Sequence, residues 1–271
     1  MVNYRLHPAP LTLYELSLIE LAKHIWTQPK IKSTLIKGFQ MAYPHYRGQL
    51  HDESFCDHLD IMDGTEKISV LIKIYIDTLH LPVPMKEELY NTTISMRTIL
   101  VDWLEVIKTE NPSIDVQDYY DHVHWAANGS VNTAESIRSL YFSGKLPPNS
   151  RATFFMISNH CLQSCMEDFV SKIESLTFGR CFLDGIHNLS DIYKIAIPAY
   201  WWFKYTQRCG CDPIEYIRSY LEDGQFIGHT KTELLFLSAV RDHNLTATKY
   251  FWNVLDSESK IHMIHVLNEH S

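Results

Sequence analysis

The residues able to do chemistry gather in three polar clusters. The first is the stretch His51-Asp52-Glu53-Ser54-Phe55-Cys56-Asp57-His58-Leu59-Asp60-Ile61-Met62-Asp63. Neutral imidazole and ionised carboxylate together are competent ligands for Zn²⁺ or Fe²⁺. On a helix, Asp57 and Asp60 would share a face at i, i+3, and Asp60 and Asp63 would repeat that spacing. Such a face holds a divalent ion only if another segment supplies more ligands; the competing reading is a solvated loop leading to the helix after Gly64. The second cluster is Asp118-Tyr119-Tyr120-Asp121-His122-Val123-His124. Asp118 and His122 lie at i, i+4, and Asp121 and His124 at i, i+3. A carboxylate held near a histidine favours imidazolium, which makes this a pH-responsive face. A metal is the alternative there, and an exposed helix face with local ion pairs is the plainer one. The metal candidates are therefore Asp57, His58, Asp60, Asp118 and His122.

The third cluster lies near the C-terminus, where Glu258, His262, His265 and Glu269 share one narrow helical stripe. A di-metal bundle would need a matching Glu-x-x-His helix, and none is found. The stripe reads as the polar outer face of a terminal cap. Among the six cysteines, Cys161 and Cys165 share a helix face while Cys209 and Cys211 flank Gly210. Neither spacing is a zinc knuckle, so buried reduced thiols are the default. There is no Walker A loop, GxGxxG, GxSxG, HExxH or CxxC, and no cofactor is expected.

Helices must position these clusters. Leu13, Leu16, Leu18, Ile19, Leu21, Ala22, Ile25 and Trp26 form a broad apolar stripe, opened by Thr12 and Glu15 at capping-box spacing and closed by Pro29. Ile31–Met41 continues as a second helix. Glu66–Leu79 carries a β-branched core that could pass for a strand; its length decides for helix. Thr92 or Thr93 caps Ile94–Lys108. Asn111–Pro112 is the clearest break, dividing an N-terminal helical region (1–111) from shorter paired helices (112–271). In the second region helices start after Val131, Leu162 and Leu245, each time as an apolar residue followed by small or polar ones. The aromatic run Tyr200-Trp201-Trp202-Phe203 reads as core.

The segment Leu235–Trp252 resembles one ankyrin repeat without its opening motif. Ala239 stands where the first helix needs a small residue, Arg241–Asp242 at that helix's end, and Leu245 at the start of the second. Lys249-Tyr250-Phe251-Trp252 is similar to that helix's basic-aromatic-apolar ending. The Thr-Pro-Leu-His opening is absent, and His243 occupies the place usually held by a glycine with φ > 0. The resemblance implies an all-α, helix-pair array like a divergent ankyrin solenoid, preceded by the N-terminal helices. It also implies protein binding through a concave face or exposed turns. The contact turns would be Asn128–Ser130 and Asp242–Asn244, naming Asn128, Ser130, Asp242, His243 and Asn244.

Composition narrows the remaining classes. The chain has 271 residues, 10 of them glycine and 15 histidine, with a formal charge of −8. About 4% glycine, against a usual level of about 7%, disfavours tight hairpins and phosphate-cradling loops. Protonating all fifteen imidazoles would carry the charge to +7, so a pH-responsive assembly protein is one reading. The acidic balance argues against nucleic acid. No apolar run approaches the roughly 18 residues needed to span a bilayer, and Met1–Pro10 has no apolar signal core. A cytoplasmic, non-enzymatic protein that binds another protein is thus the first expectation; a metal-dependent enzyme using an Asp/His cluster is the second, and the pH-responsive protein the third.

Overall fold

The computed structural model describes residues 10–42, 58–110, 115–147, 150–172, 197, 198, 200, 201, 204, 228–241 and 244–269. Within these, the side chains of 41, 42, 58–65, 109, 110 and 269 lie outside the description. The protein is all-α: among the described residues the only strand-like pairing is one antiparallel bridge, Trp125–Val131. No helix among them is long and apolar enough to cross a membrane. The chain divides into two compact units, Met1–Ser136 and Ile137–Ser271.

In the first unit α1 (Leu13–Trp26) packs against α4 (Val83–Glu110), and α2 (Pro29–Ala42) against α3 (His58–Thr78). The Thr12 hydroxyl accepts the Glu15 N–H at 3.2 Å, and the Thr12 N–H donates to Glu15 Oε2 at 2.7 Å, so the expected capping box starts α1. Leu18, Ile19, Ala22, Ile25 and Trp26 are buried, the spacing of one helical stripe. Pro29, at the first position of α2, starts that helix as well as ending the segment before it.

The β-branched run in α3 settles as helix on burial period. Ile68, Ile72 and Ile76 are buried, whereas Val70 and Ile74 between them are 56% exposed. A strand would have put all five on one side. Two helix starts differ from the sequence reading: α3 begins at His58 rather than after Gly64, and the start of α4 moves as well. α4 starts at Val83 rather than near Ile94, because Pro84 sits in the first turn, where its missing N–H has no intrahelical partner to lose. Thr93 is no cap: it is buried mid-helix, and its hydroxyl donates to the Leu89 carbonyl at 2.7 Å.

The short α5 (Val116–Asp121) packs on α2 and α4. Its Tyr120 hydroxyl donates to the Trp26 carbonyl at 2.5 Å and its Tyr119 hydroxyl to the Ile107 carbonyl at 3.3 Å. Beyond it, Gly129 has φ +80°, and a Cβ there would lie 3.4 Å from Ile19 Cγ2 and Met96 Sδ. These contacts tie residues 115–130 to the N-terminal helices. The division between the two compact units falls inside α6 (Thr133–Phe142).

Among its described residues the second unit contains two helix pairs, α7 (Arg151–Asn159) with α8 (Gln163–Lys172), and α9 (Lys231–Arg241) with α10 (Leu245–Val254), followed by α11 (Ser257–Glu269). The pairs close alike. The Leu162 N–H donates to the Ile157 carbonyl at 3.0 Å, and the Asn244 N–H to the Ala239 carbonyl at 2.9 Å. This bond, from the residue after the turn back to the helix, is the longer one of a Schellman motif. The same interval separates Cys165 from Ala247 and Phe169 from Phe251, and all four are buried.

That register moves one element of the sequence repeat. Leu162 matches Asn244, not Leu245: Leu162 is 2% exposed and its carbonyl receives the Met166 N–H, as the Asn244 carbonyl receives that of Thr248. Leu245 is 65% exposed. Trp201 is fully buried and packs 5.3 Å from the Tyr250 ring, so it belongs to the core.

Candidate functional site

Among the described residues, one set of three His, Cys, Asp or Glu side chains brings its ligand atoms together: His229, Glu233 and His262, all within 4.8 Å of one another. Local sequence places the first two. Thr230 and Glu233 have capping-box spacing at the start of α9; the Thr230 N–H donates to Glu233 Oε2 at 2.6 Å, and the Glu233 N–H reaches Thr230 Oγ1 at 3.4 Å. His229 precedes the cap, and its Nδ1 stands 3.8 Å from Glu233 Oε2. The third member comes from α11, where His262 Nδ1–H donates to Glu233 Oε1 at 3.1 Å. The two imidazoles stack, ring centres 4.9 Å apart and planes 22° from parallel.

Burial raises the Glu233 pKa, but the Thr230 N–H, followed by the His262, Ser259 and Thr230 side chains, outweighs it and holds the carboxyl below its usual range. Burial, and then the neighbouring His262, lowers the His229 pKa against the pull of Glu233. The buried arm of the site is thus a neutral imidazole beside a carboxylate. Its open arm is His262, whose side chain is 46% exposed.

Of the residues expected to bind a metal, Asp57 lies outside the described residues, as do the side chains of His58 and Asp60, whose backbone opens α3. Asp118 and His122 are half-buried on and just after α5, and they do not join a three-ligand group. The neighbouring Asp121 is engaged by the Lys32 ammonium and by Gln117 Nε2 at 2.7 Å. On the expected contact turns, Asn128 is exposed, and its Oδ1 accepts the Ser130 hydroxyl at 2.7 Å and N–H at 3.2 Å. Asp242 and His243 lie outside the described residues. The Asn244 side chain is bonded within the fold: its Oδ1 accepts the Ala247 N–H at 3.0 Å, and its Nδ2 donates to the Asn159 carbonyl at 2.6 Å.

The sequence reading missed His229 and Glu233, although Thr230-x-x-Glu233 before an apolar run is a helix-start signature. It placed His262 on a polar outer face. That face is mixed: Ile261 and Ile264 are 60% and 49% exposed, while Ser259 and Met263 are buried and His262 turns to Glu233.

In the first unit a groove of about 580 Å³ runs between the end of α3 and the start of α4, with Lys73, Asp77, Lys86 and Glu87 on its walls. The Lys86 ammonium donates to the Asp77 carbonyl at 2.8 Å, closing off helix α3. No protein-family model matches the chain, and neither a curated protein nor a solved structure matches it significantly.

Proposed function

We propose that the chain is a non-enzymatic protein-binding module whose second unit is built from ankyrin-like helix pairs. The observation that carries this reading is the uncovered apolar face of α11. Ile261 and Ile264, one turn apart, are 60% and 49% exposed on a helix whose buried side is anchored by Met263. A helix that only capped an array would turn polar groups outward to stay soluble. Neighbouring exposed isoleucines instead offer the desolvated centre that protein contacts need. The equivalent closures of α7–α8 and α9–α10 support the helix-pair part of the reading. At the Asn128–Ser130 turn, held by its own hydrogen bonds, the exposed Asn128 offers a second contact point with little ordering entropy left to lose.

The test compares wild type with the double variant Ile261→Glu, Ile264→Glu by crosslinking of purified protein in lysate and by sedimentation. Both positions face outward, so helicity and unfolding midpoint should stay near wild type. A stoichiometric partner at low micromolar concentration should be present for wild type and lost for the variant. A partner that survives both charges, or no partner for wild type, overturns the proposal.

A further inference from the structure

We propose that His229, Glu233 and His262 bind one divalent transition-metal ion, with zinc the metal that suits them, and that this ion fastens α11 to the start of α9. Such a site goes beyond the protein-binding reading and does not depend on it.

The donors select the class of ion. Two imidazole nitrogens and one carboxylate oxygen suit zinc and its first-row neighbours, whereas magnesium and calcium take oxygen ligands. The spacing of the donors agrees with that choice. Bonds of about 2 Å to a tetrahedral ion place ligand atoms roughly 3.3 Å apart. His262 Nδ1 and Glu233 Oε1 are 3.1 Å apart already, and His229 Nδ1 is 3.8 Å from the other carboxylate oxygen. The set as a whole spans at most 4.8 Å, so closing it asks for a shift of about 1.5 Å together with a rotation of the half-exposed His262 ring out of its stack on His229, so that both in-plane lone pairs meet the ion. His229 and Glu233 are buried and stay in place.

The outer contacts fit as well. The Thr230 N–H holds Glu233 Oε2, which leaves Oε1 as a single oriented donor, the arrangement in which a hydrogen-bonded partner aims a metal-binding carboxylate. A capping box accounts for Thr230 and Glu233 alone. One histidine would be enough to pair α11 with that carboxylate. The second imidazole, with its Nδ1 3.8 Å from the other oxygen of the same carboxylate, is the donor that neither the cap nor the helix pairing requires. Three protein ligands leave a fourth position, open to water beside His262.

The experiment uses the full, tag-free chain, stripped with chelator and titrated with Zn²⁺ alone by calorimetry, with Co²⁺ as a spectroscopic probe. Wild type should take up one ion per chain, melt at higher temperature with zinc, and give a cobalt spectrum with d–d bands but no thiolate charge-transfer band. His262→Ala and Glu233→Gln should weaken binding by at least about tenfold and lose the zinc-dependent rise in melting temperature. Both variants are chosen because His262 is half-exposed and Gln keeps an oxygen for the Thr230 N–H, so the apo fold persists. No stoichiometric zinc at micromolar concentration overturns the proposal. So does equal affinity in wild type and both variants, or a charge-transfer band that places the ion on cysteines.

Discussion

Asn244 stands on a turn expected to form a contact surface, yet the structure makes it a joint, and replacing it with alanine separates the two roles. Its side chain makes two hydrogen bonds. Oδ1 caps α10 by accepting the Ala247 N–H at 3.0 Å, and Nδ2 donates to the Asn159 carbonyl at the end of α7 at 2.6 Å. Loss of an Asn cap costs about 1 kcal/mol. Loss of the bond to Asn159 costs about 1 kcal/mol more, and further if that carbonyl cannot find water. Asn244→Ala should therefore destabilise by roughly 2 kcal/mol.

Asn244→Ser divides that sum. Serine caps a helix as well as asparagine does but cannot reach Asn159, so it should cost about 1 kcal/mol. The backbone groups of residue 244, which bond Ala239 and Thr248, are untouched in both variants. Urea unfolding followed by circular dichroism measures both values, with an unchanged m-value showing that the denatured state is the same. An alanine cost below about 0.5 kcal/mol would refute the joint. A serine variant as damaged as alanine would refute the cap. Partner binding per folded molecule should be the same in all three chains, because the side chain points into its own unit.

Two further outcomes concern the same unit. Cys161 is a non-glycine residue at φ +52°, and both Gly and Ala at this position remove its sulfur. The glycine variant should be the more stable of the two by about 1 kcal/mol, the reverse of their usual order; equal midpoints in urea would show that the left-handed turn stores no strain. Burial pushes the His160 pKa down to about 4 from the usual 6.5, and its Nδ1 has no hydrogen-bond partner among the described residues. The folded state resists a proton that the unfolded chain takes. Its contribution to stability is therefore complete above about pH 6.5 and is lost as the pH falls towards 4, roughly 3 kcal/mol in all. Unfolding free energies at pH 7.5, 5.5 and 4.5 for wild type and His160→Gln check this, and equal losses in the two chains would count against it.

How far a sequence declares its structure depends here on the range of each interaction. The capping box of Thr12 and Glu15, the apolar stripe of α1 and the helical period of Ile68, Ile72 and Ile76 are set within a few residues of chain, and all can be read directly. The start of α4 is hidden because Pro84 looks like a stop, although a first-turn proline stops nothing. Leu162 and Leu245 look equivalent because each is a leucine at a helix start. Only burial and the backbone bonds show that one occupies a cap position and the other an exposed one. The His–Glu–His site is half visible. Glu233 declares itself as a cap partner, but His262 follows it by 29 residues, and the docking of one helix on another decides that pairing.

The scarcity of glycine shows the same difference between local and tertiary information. Ten glycines disfavour phosphate loops and hairpins, in keeping with an all-α protein. The same scarcity would threaten the turns between paired helices, where a left-handed residue is usually glycine. α6 does end this way, with Gly144 at φ +73° and the Lys145 N–H bonded to the Leu140 carbonyl, but α7 makes the same closure with Cys161. The strain of a Cβ at that angle, about 1 kcal/mol, is offset when the side chain that causes it is buried. Cys161 is buried among the aromatic side chains that surround Trp201. A missing glycine therefore does not remove a turn from a helix pair; it moves the requirement from backbone freedom to the packing of whichever side chain stands there.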